Sequence, residues 1–281
     1  MMNHEEYRTR QDTVTVDVDG HRVEIAYYED GPADGEPLVF VHGIPTWGFL
    51  WREVAPEFTD DYRVVVPDLA GYGSSEKTDG FDRSIRAQEQ VIEGLVDELD
   101  IATPLNLVSH DIGGGVASRY AAHSPEAVST LVVSNAVCYD SWPVEFVNDL
   151  GLPGTAELPF DELEENLDFA FGGGVHGDES EHAEFIEGMK APWMTDAGRR
   201  SLSRCAVATN TNHTTELDYA EITADTLCLW GGDDILQPVS YAEWLAEDVS
   251  GAGEVVTLDD AYHWVMEDRP KAYTEELRAF L

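Results

Sequence analysis

LNLVSHDIGGG, residues 105–115, joins a short apolar run to a glycine-rich bend, and a helical pattern follows it. This succession of strand, turn and helix is typical of a nucleophile elbow. The backbone of such a turn bends so sharply that the residues two before and two after its tip must be small. Ser109 and Gly113 meet that requirement. The motif therefore predicts that Asp111 stands at the tip.

A carboxylate at the tip decides which chemistry is expected. Ser109 cannot occupy the tip itself, because its own flanking positions would be Leu107 and Asp111. A hydroxyl nucleophile would carry out acyl transfer, whereas a carboxylate attacks an electrophilic carbon that bears a leaving group. We assign no role to His110, which precedes the tip.

On both sides of the elbow the chain alternates predicted strands with predicted helices. Apolar runs and alternating patterns predict eight strands, at residues 13–18, 22–28, 37–41, 62–66, 105–109, 128–134, 226–230 and 254–258. The first two read as a hairpin at a sheet edge. Buried strands separated by helices, such as those predicted at 86–99 and 273–281, indicate an α/β fold with a mostly parallel sheet covered on both faces.

The alternation stops after residue 134 and resumes near residue 226. Residues 136–220 are rich in Trp, Phe, Met and short helical patterns, and prolines divide them. We predict a helical cap over 136–220, inserted into a core domain formed by residues 1–135 and 221–281. The glycine-rich run at 172–179 is predicted to be a mobile loop of the cap.

Composition limits the partners and suggests an environment. Fifty-six acidic and 16 basic residues among 281 give a formal net charge of -40. Such a charge repels nucleic acid and anionic membranes and favours a surface adapted to molar salt, where the Debye length is only about 3 Å. Three cysteines without a CxxC pair favour free thiols, and no apolar run resembles a secretion signal or a membrane span. We expect a cytoplasmic protein from a halophile; homo-oligomer formation is left open.

A histidine and a second carboxylate end the last two predicted strands. His263 follows the final strand and is predicted to be the general base. Both Asp233 and Asp234 end the strand before it; the spacing favours Asp234 as the acid that orients the histidine, with Asp233 as solvated surface charge. The chain order Asp111, Asp234, His263 is that of nucleophile, acid and histidine in elbow enzymes.

The remaining site predictions concern the oxyanion hole and the substrate pocket. The loop after the first buried strand supplies one backbone N–H, from Ile44, and the residue after the nucleophile supplies the other, from Ile112. The predicted pocket is apolar and lined by Trp47, Trp142, Phe146, Phe169, Trp193 and Met194. The acidic and histidine residues at 176–182 match no metal-site spacing, and this chemistry requires no metal or organic cofactor.

Five segments together carry a resemblance to a known family: HGIPTWGFLWR (42–52), PDLAGYGSSEK (67–77), SHDIGGGVA (109–117), WGGDD (230–234) and DAYHWVMEDRP (260–270). The chain resembles an α/β-hydrolase of the haloalkane dehalogenase and epoxide hydrolase branch, over nearly its whole length and most loosely in the cap. The resemblance implies the α/β-hydrolase fold, with an eight-stranded sheet and an inserted cap.

The resemblance also implies where a leaving group or an epoxide oxygen would be held. Dehalogenases hold the halide with a Trp after the nucleophile, plus an Asn in the HG-N-PT motif or a cap Trp. This chain has Ile112 and Ile44 at the first two places, which leaves Trp142 or Trp193. Epoxide hydrolases use two cap tyrosines, for which the chain offers Tyr139 and Tyr219; Asn135 stands where one dehalogenase subgroup carries its acid, which supports Asp234.

The expected function is haloalkane dehalogenase-like cleavage of a carbon–halogen bond in a small apolar organic substrate, through an alkyl ester on Asp111 that water hydrolyses. The alternatives are an epoxide hydrolase or an esterase or lactonase of the same fold, and a non-catalytic small-molecule receptor. Halide release, diol formation and acid formation distinguish the enzymatic readings. An intact Asp111, Asp234 and His263 argues against a receptor, since a pure binder does not need the set.

Overall fold

A computed structural model describes residues 2–251 and 253–281, so Met1 and Ala252 of the predicted core domain lie outside the described residues. The strands are β1 Gln11–Val18, β2 His21–Asp30, β3 Glu36–Val41, β4 Tyr62–Pro67, β5 Leu105–His110, β6 Val128–Ser134, β7 Asp225–Gly231 and β8 Gly253–Leu258. The α-helices are α1 His4–Thr9, α2 Ile85–Glu98, α3 Ile112–His123, α4 Glu145–Leu150, α5 Phe160–Gly173, α6 Ala183–Lys190, α7 Asp196–Val207, α8 Asn212–Thr215, α9 Ser240–Asp248, α10 Val265–Asp268 and α11 Pro270–Phe280.

The eight strands form one sheet in the order β1-β2-β4-β3-β5-β6-β7-β8. The pairs β1–β2 and β2–β4 are antiparallel, and the other five pairs are parallel. Every residue of β5 is buried, which requires cover on both faces of the sheet because successive side chains point to opposite faces. The predicted eight-stranded, mostly parallel sheet with an edge hairpin is confirmed.

The parallel strands bring their carboxyl ends to one edge of the sheet. Helix α3 follows β5 and packs on β5 and β6, while α9 packs on β7 and β8. In open α/β sheets, the loops beyond the carboxyl ends of the strands form the ligand site. The loops after β3, β5, β7 and β8 therefore meet where the predicted site residues lie.

Residues 135–224, all of them described, form helices and turns but no strand. The helices α4 to α8 lie in this interval, as the predicted cap requires, and the division of the chain into a core and a cap domain stays a prediction. The glycine-rich run predicted to be a mobile loop begins inside α5, which continues to Gly173. Beyond it, Gly174 accepts the backbone N–H of Trp264 at 3.1 Å, and the N–H of His176 donates to Asp268 at 2.8 Å. The loop is thus shorter than predicted and is bonded to the segment that follows β8.

Two further sequence features can be compared with the structure. Cys138, Cys205 and Cys228 are buried free thiols, as predicted. Among the described residues, no helix combines the length and the apolar character that crossing a bilayer demands.

Candidate active site

Asp111 occupies the sharp turn between β5 and α3. Its backbone has φ 53° and ψ -124°, a region that residues with a side chain rarely adopt. A Cβ built on Gly113 would lie 2.5 Å from the carbonyl oxygens of Val41 and His42, so a larger residue would force these segments apart. Ser109 is fully buried two residues before the tip. The requirement for small residues on both sides of Asp111 thus has a direct steric cause.

The Asp111 carboxylate is buried and held by backbone amides. Only 2% of the residue is exposed. The N–H of Ile44 donates to Oδ1 at 2.7 Å. Burial raises the pKa of Asp111 from 3.8 to about 6, while the charge of His263 and the N–H groups of Ile44 and Ile112 act in the opposite direction. Gly43 allows this approach, because a Cβ there would overlap Asp111 Oδ1.

His263 lies between the two carboxylates. Its Nδ1 donates to Asp234 Oδ2 at 2.9 Å, and its Nε2 lies 3.8 Å from Asp111 Oδ2. Burial by itself would lower the pKa of His263, but the Asp234 carboxylate outweighs burial and raises it above the ordinary value. Asp233, the alternative acid, is exposed. The structure therefore brings Asp234 to His263.

Asn135 holds the acid in place, a role that its sequence position alone does not reveal. Its Nδ2 donates to Asp234 Oδ2 at 2.7 Å, and its Oδ1 accepts the N–H of Gly231 at 3.0 Å. The N–H of Leu236 donates to the other oxygen of Asp234 at 2.7 Å. Burial would raise the pKa of Asp234, but the charge of His263 and these hydrogen bonds outweigh it and lower the pKa. Asn135 directly follows β6, and an amide at this strand end can support an acid as well as stand in its place.

His110, to which no role was assigned, supports the base. It is fully buried, and its Nε2 donates to the carbonyl oxygen of His263 at 2.9 Å. Burial lowers the pKa of His110 well below the ordinary value, so the ring is neutral at physiological pH. The elbow thus fixes the backbone of His263 as well as presenting Asp111.

A cavity of about 560 Å³ opens above Asp111 and His263. Three of the predicted pocket residues, Trp142, Phe146 and Phe169, line it. Other described lining residues are mostly apolar, and none is Lys or Arg: Ile44, Pro45, Val144, Val147, Ala170, Gly173, Gly174, Asp233, Asp234, Ile235, Leu236, Gln237, Tyr262 and Trp264. Two of the lining residues are strongly exposed at 77% (Phe169) and 86% (Ile235), which gives the cavity an apolar rim.

The other three residues predicted for the pocket do not line it. The Trp47 indole N–H donates to the carbonyl of Gly188 at 2.9 Å, and that of Trp193 donates to the carbonyl of Pro45 at 2.7 Å. Both rings are fully buried, and Met194 packs against the core. The two tryptophans join the segment between β6 and β7 to the core, because each indole N–H is satisfied by a backbone carbonyl of the other part.

Of the side chains predicted to hold a halide or an epoxide oxygen, Trp142 lines the cavity, whereas Tyr139 and Tyr219 do not. The indole N–H of Trp142 is buried and has no hydrogen-bond partner among the described residues. The rings of Tyr139 and Tyr219 are tilted by 40° with centroids 4.4 Å apart, and neither residue lines the cavity. The Tyr139 hydroxyl donates to Asp248 at 2.8 Å, and the Tyr219 hydroxyl donates to the carbonyl of Thr214 at 3.2 Å.

Among the acidic and histidine residues at 176–182, His182 is engaged in another contact. His182 Nδ1 lies 2.9 Å from Glu267 Oε1. The other carboxylate oxygen of Glu267 forms an ion pair with the buried Arg52. Within residues 2–251 and 253–281, no three His, Cys, Asp or Glu side chains are grouped as a metal ion needs.

Comparison with known proteins places the geometry in context. Residues 38–276 match the model of the alpha/beta hydrolase family. An alpha/beta hydrolase fold protein from Burkholderia ambifaria superimposes with a TM-score of 0.83 at 27% identity, covering 95% of this chain and 99% of that one.

Two curated relatives are similar over shorter stretches. A cis-3-alkyl-4-alkyloxetan-2-one decarboxylase of Xanthomonas campestris pv. campestris is 33% identical over 124 residues, 42% of this chain and 41% of the relative. A haloalkane dehalogenase of Mycobacterium marinum is 38% identical over 111 residues, 39% of this chain and 37% of the relative. The matched stretch thus spans about two fifths of the length of each of these relatives.

Proposed function

The chain belongs to the alpha/beta hydrolase family, and from that premise we propose that it is a hydrolase whose nucleophile is the Asp111 carboxylate. The observation that carries the proposal is the environment of that carboxylate. One oxygen accepts the N–H of Ile44 at 2.7 Å, and the other lies 3.8 Å from Nε2 of His263. One oxygen is thus fixed, and the other is free to attack.

The first step transfers an alkyl group to the enzyme. Asp111 Oδ2 attacks a carbon that bears a leaving group; a C–O ester bond forms, and the leaving group departs with the electron pair of the broken bond. This step needs an ionised Asp111 and no base. A neutral, apolar substrate suits the cavity, because its described lining has mostly apolar side chains and no basic one.

The second step hydrolyses the ester. Because Nδ1 of His263 donates to Asp234, Nε2 is free to take a proton from water. The resulting hydroxide attacks the Asp111 carboxyl carbon, and the N–H groups of Ile44 and Ile112 stabilise the negative charge on Oδ1; a donor of this kind contributes about 3–4 kcal/mol. The tetrahedral species then expels the alcohol, which takes its proton from His263.

The leaving group that we propose is a halide, as in the haloalkane dehalogenase to which the chain is similar. Ile44 and Ile112 provide no side-chain donor for a halide. The indole N–H of Trp193 is bonded to a carbonyl, whereas that of Trp142, a cavity residue, has no described partner. Trp142 is therefore the residue that we propose to bind the departing anion.

Replacing His263 with Gln tests the proposal directly. The first step survives, whereas hydrolysis of the ester slows by about 10²–10⁴-fold, the usual contribution of a general base. After addition of a bromoalkane, intact-protein mass spectrometry should detect one added alkyl group, and peptide mapping should locate it on Asp111.

The control is Asp111→Asn, whose neutral amide is a poor nucleophile and should form no adduct at first. An adduct on Ser109, or the lack of any adduct with substrates that the native protein turns over, would rule out Asp111 as the nucleophile.

A second candidate is opening of an oxetan-2-one ring, favoured by the similarity to a cis-3-alkyl-4-alkyloxetan-2-one decarboxylase. Asp111 would attack the ring carbon that bears oxygen and release a carboxylate. Loss of CO₂ would then form the C=C bond and expel Asp111 as the free carboxylate. Because no water is consumed, His263→Gln should still turn over an oxetan-2-one, and this separates the candidate from halide cleavage. Epoxide opening has less support, because Tyr139 and Tyr219 do not line the cavity.

A further inference from the structure

The polar side chain of Gln237 is buried in the wall of the cavity, and its Oε1 has no hydrogen-bond partner among the described residues. The residue is only 1% exposed and lines the cavity above Asp111. Its Oε1 is buried and forms no hydrogen bond with any described residue. The backbone carbonyl of Gln237 accepts the indole N–H of Trp230 at 2.7 Å, so this carbonyl is satisfied whereas the side-chain Oε1 is not.

Gln88 in α2 shows how a buried glutamine of this chain is satisfied when its role is structural. It is fully buried, its Oε1 accepts the N–H of Ala70 at 2.9 Å, and its Nε2 donates to the carbonyl of Ala70, also at 2.9 Å. Most buried polar side-chain atoms in proteins have a partner, and an unpaired one costs about 1–3 kcal/mol. The side-chain Oε1 of Gln237 therefore lacks the kind of hydrogen bond that a structural glutamine such as Gln88 forms.

We propose that Gln237 binds a hydroxyl group carried by the alkyl part of the substrate. The inference rests on the proposed function, since it places the substrate in the cavity above Asp111. A carboxamide offers a donor and an acceptor, and a hydroxyl, which also donates and accepts, satisfies either group of the amide. This holds for both orientations of the amide, whose O and N atoms are assigned from hydrogen bonding.

The charge of the site disfavours an anionic group at the same place. Asp111, Asp233 and Asp234 line the cavity, and no described lining residue is Lys or Arg. A carboxylate or phosphate on the substrate would be desolvated beside these groups with no lysine or arginine to pair with it. The polar function that Gln237 recognises is therefore not an anion, and the mostly apolar lining suits an apolar remainder of the substrate.

Halide release from matched bromoalkanes tests the proposal. The substrates are 1-bromohexane and its monohydroxy derivatives with the hydroxyl on each carbon from C3 to C6, assayed with the native protein and with Gln237→Leu. In the native protein, kcat/KM for at least one hydroxylated isomer should exceed that for 1-bromohexane by about 10–100-fold. Gln237→Leu should reduce this ratio to about one.

Comparing ratios removes the intrinsic reactivity of each isomer, because both proteins meet the same compounds. Gln88→Leu serves as the matched control and should keep the native ratio. The same ratio in the native protein and in Gln237→Leu for every isomer would overturn the proposal.

Thermal unfolding distinguishes a recognition residue from a structural one. Gln237→Leu removes an unpaired buried amide, so its melting temperature should equal or exceed that of the native protein. Gln88→Leu leaves the backbone groups of Ala70 unpaired and should melt roughly 4–8 °C lower. If Gln237→Leu were destabilised as strongly as Gln88→Leu, the amide would be structural, and the inference would be wrong.

Binding without chemistry separates this inference from the proposed function. Calorimetric titration with hexan-1-ol and the hexanediols should show the hydroxyl preference in the native protein and its loss in Gln237→Leu. If no bromoalkane forms an adduct but the preference persists, the halide reaction fails and the hydroxyl site stands. If bromide is released without any preference, the reaction stands and the hydroxyl site fails.

Discussion

At the scale of the residue, Asp111 and His263 titrate in an order that separates the two steps. Asp111 must be ionised to attack, and its pKa is about 6 because it is buried. His263 must be neutral to activate water, and the Asp234 carboxylate raises its pKa above 6.5. Ester formation should therefore begin at a lower pH than ester hydrolysis. The ester should accumulate at pH values between the pKa of Asp111 and the pKa of His263.

Rapid quenching followed by mass spectrometry between pH 5 and pH 9 would measure both steps. The fraction of enzyme that carries the alkyl ester at steady state should be largest just above pH 6 and should decline as the pH rises. Turnover that stays constant down to pH 4.5 in the folded protein would remove His263 from the role of base.

Asn135 allows a second prediction at this scale. Asn135→Ala removes the amide that donates to Asp234 Oδ2 at 2.7 Å, so the acid should hold His263 less firmly. We expect ester hydrolysis to slow by about 10–100-fold, since hydrogen bonds to charged groups contribute about 1.5–3 kcal/mol, while ester formation changes little. Asn106, a buried asparagine of β5 bonded to Glu36 and to the carbonyl of Pro37, is the matched control. Asn106→Ala should lower stability without separating the two rates, and equal effects of both variants on hydrolysis would contradict a positioning role.

At the scale of the element, the elbow depends on the contact between the start of α3 and the loop after β3. Gly113→Ala places a Cβ 2.5 Å from the carbonyl oxygens of Val41 and His42, so the turn must shift. Because the Ile44 N–H and Asp111 belong to the two segments forced apart, kcat should fall by about 10²-fold or more and the melting temperature should also fall. Gly154→Ala, where a Cβ meets nothing within 4 Å, should leave both unchanged. Native activity in Gly113→Ala would mean that the elbow tolerates the shift.

The same scale shows what the sequence could and could not predict. The interior strands were placed to within one or two residues, because continuous apolar runs between turns have few other readings. The loops after β5, β7 and β8 were predicted to meet, and the structure brings Asp111, Asp234 and His263 together there. The pocket was predicted less well. Whether a tryptophan faces the cavity or a backbone carbonyl depends on contacts between distant segments, and no local pattern records that choice for Trp47 or Trp193.

At the scale of the whole molecule, the formal net charge of -40 governs how stability depends on salt. Like charges repel in dilute buffer, and salt screens that repulsion. From this we propose a halophilic origin and expect the melting temperature to climb from dilute buffer to about 2 M KCl, where the Debye length falls below about 3 Å. Scanning calorimetry across a KCl series would measure it, with sucrose as an uncharged control. A flat or falling curve would contradict the adaptation to salt.

In such a medium, the apolar rim formed by Phe169 and Ile235 should favour the entry of uncharged molecules. Molar salt screens the outer carboxylates, so the surface no longer keeps anionic metabolites at a distance. Groups removed from water are screened far less, and Asp111 and Asp234 are almost wholly buried. We therefore expect an anionic molecule that arrives from the solvent to be repelled by these carboxylates inside the cavity, whereas an uncharged molecule meets no such repulsion and can enter across the apolar rim. In molar salt, we expect the two buried carboxylates, and not the surface charge, to select against anionic molecules.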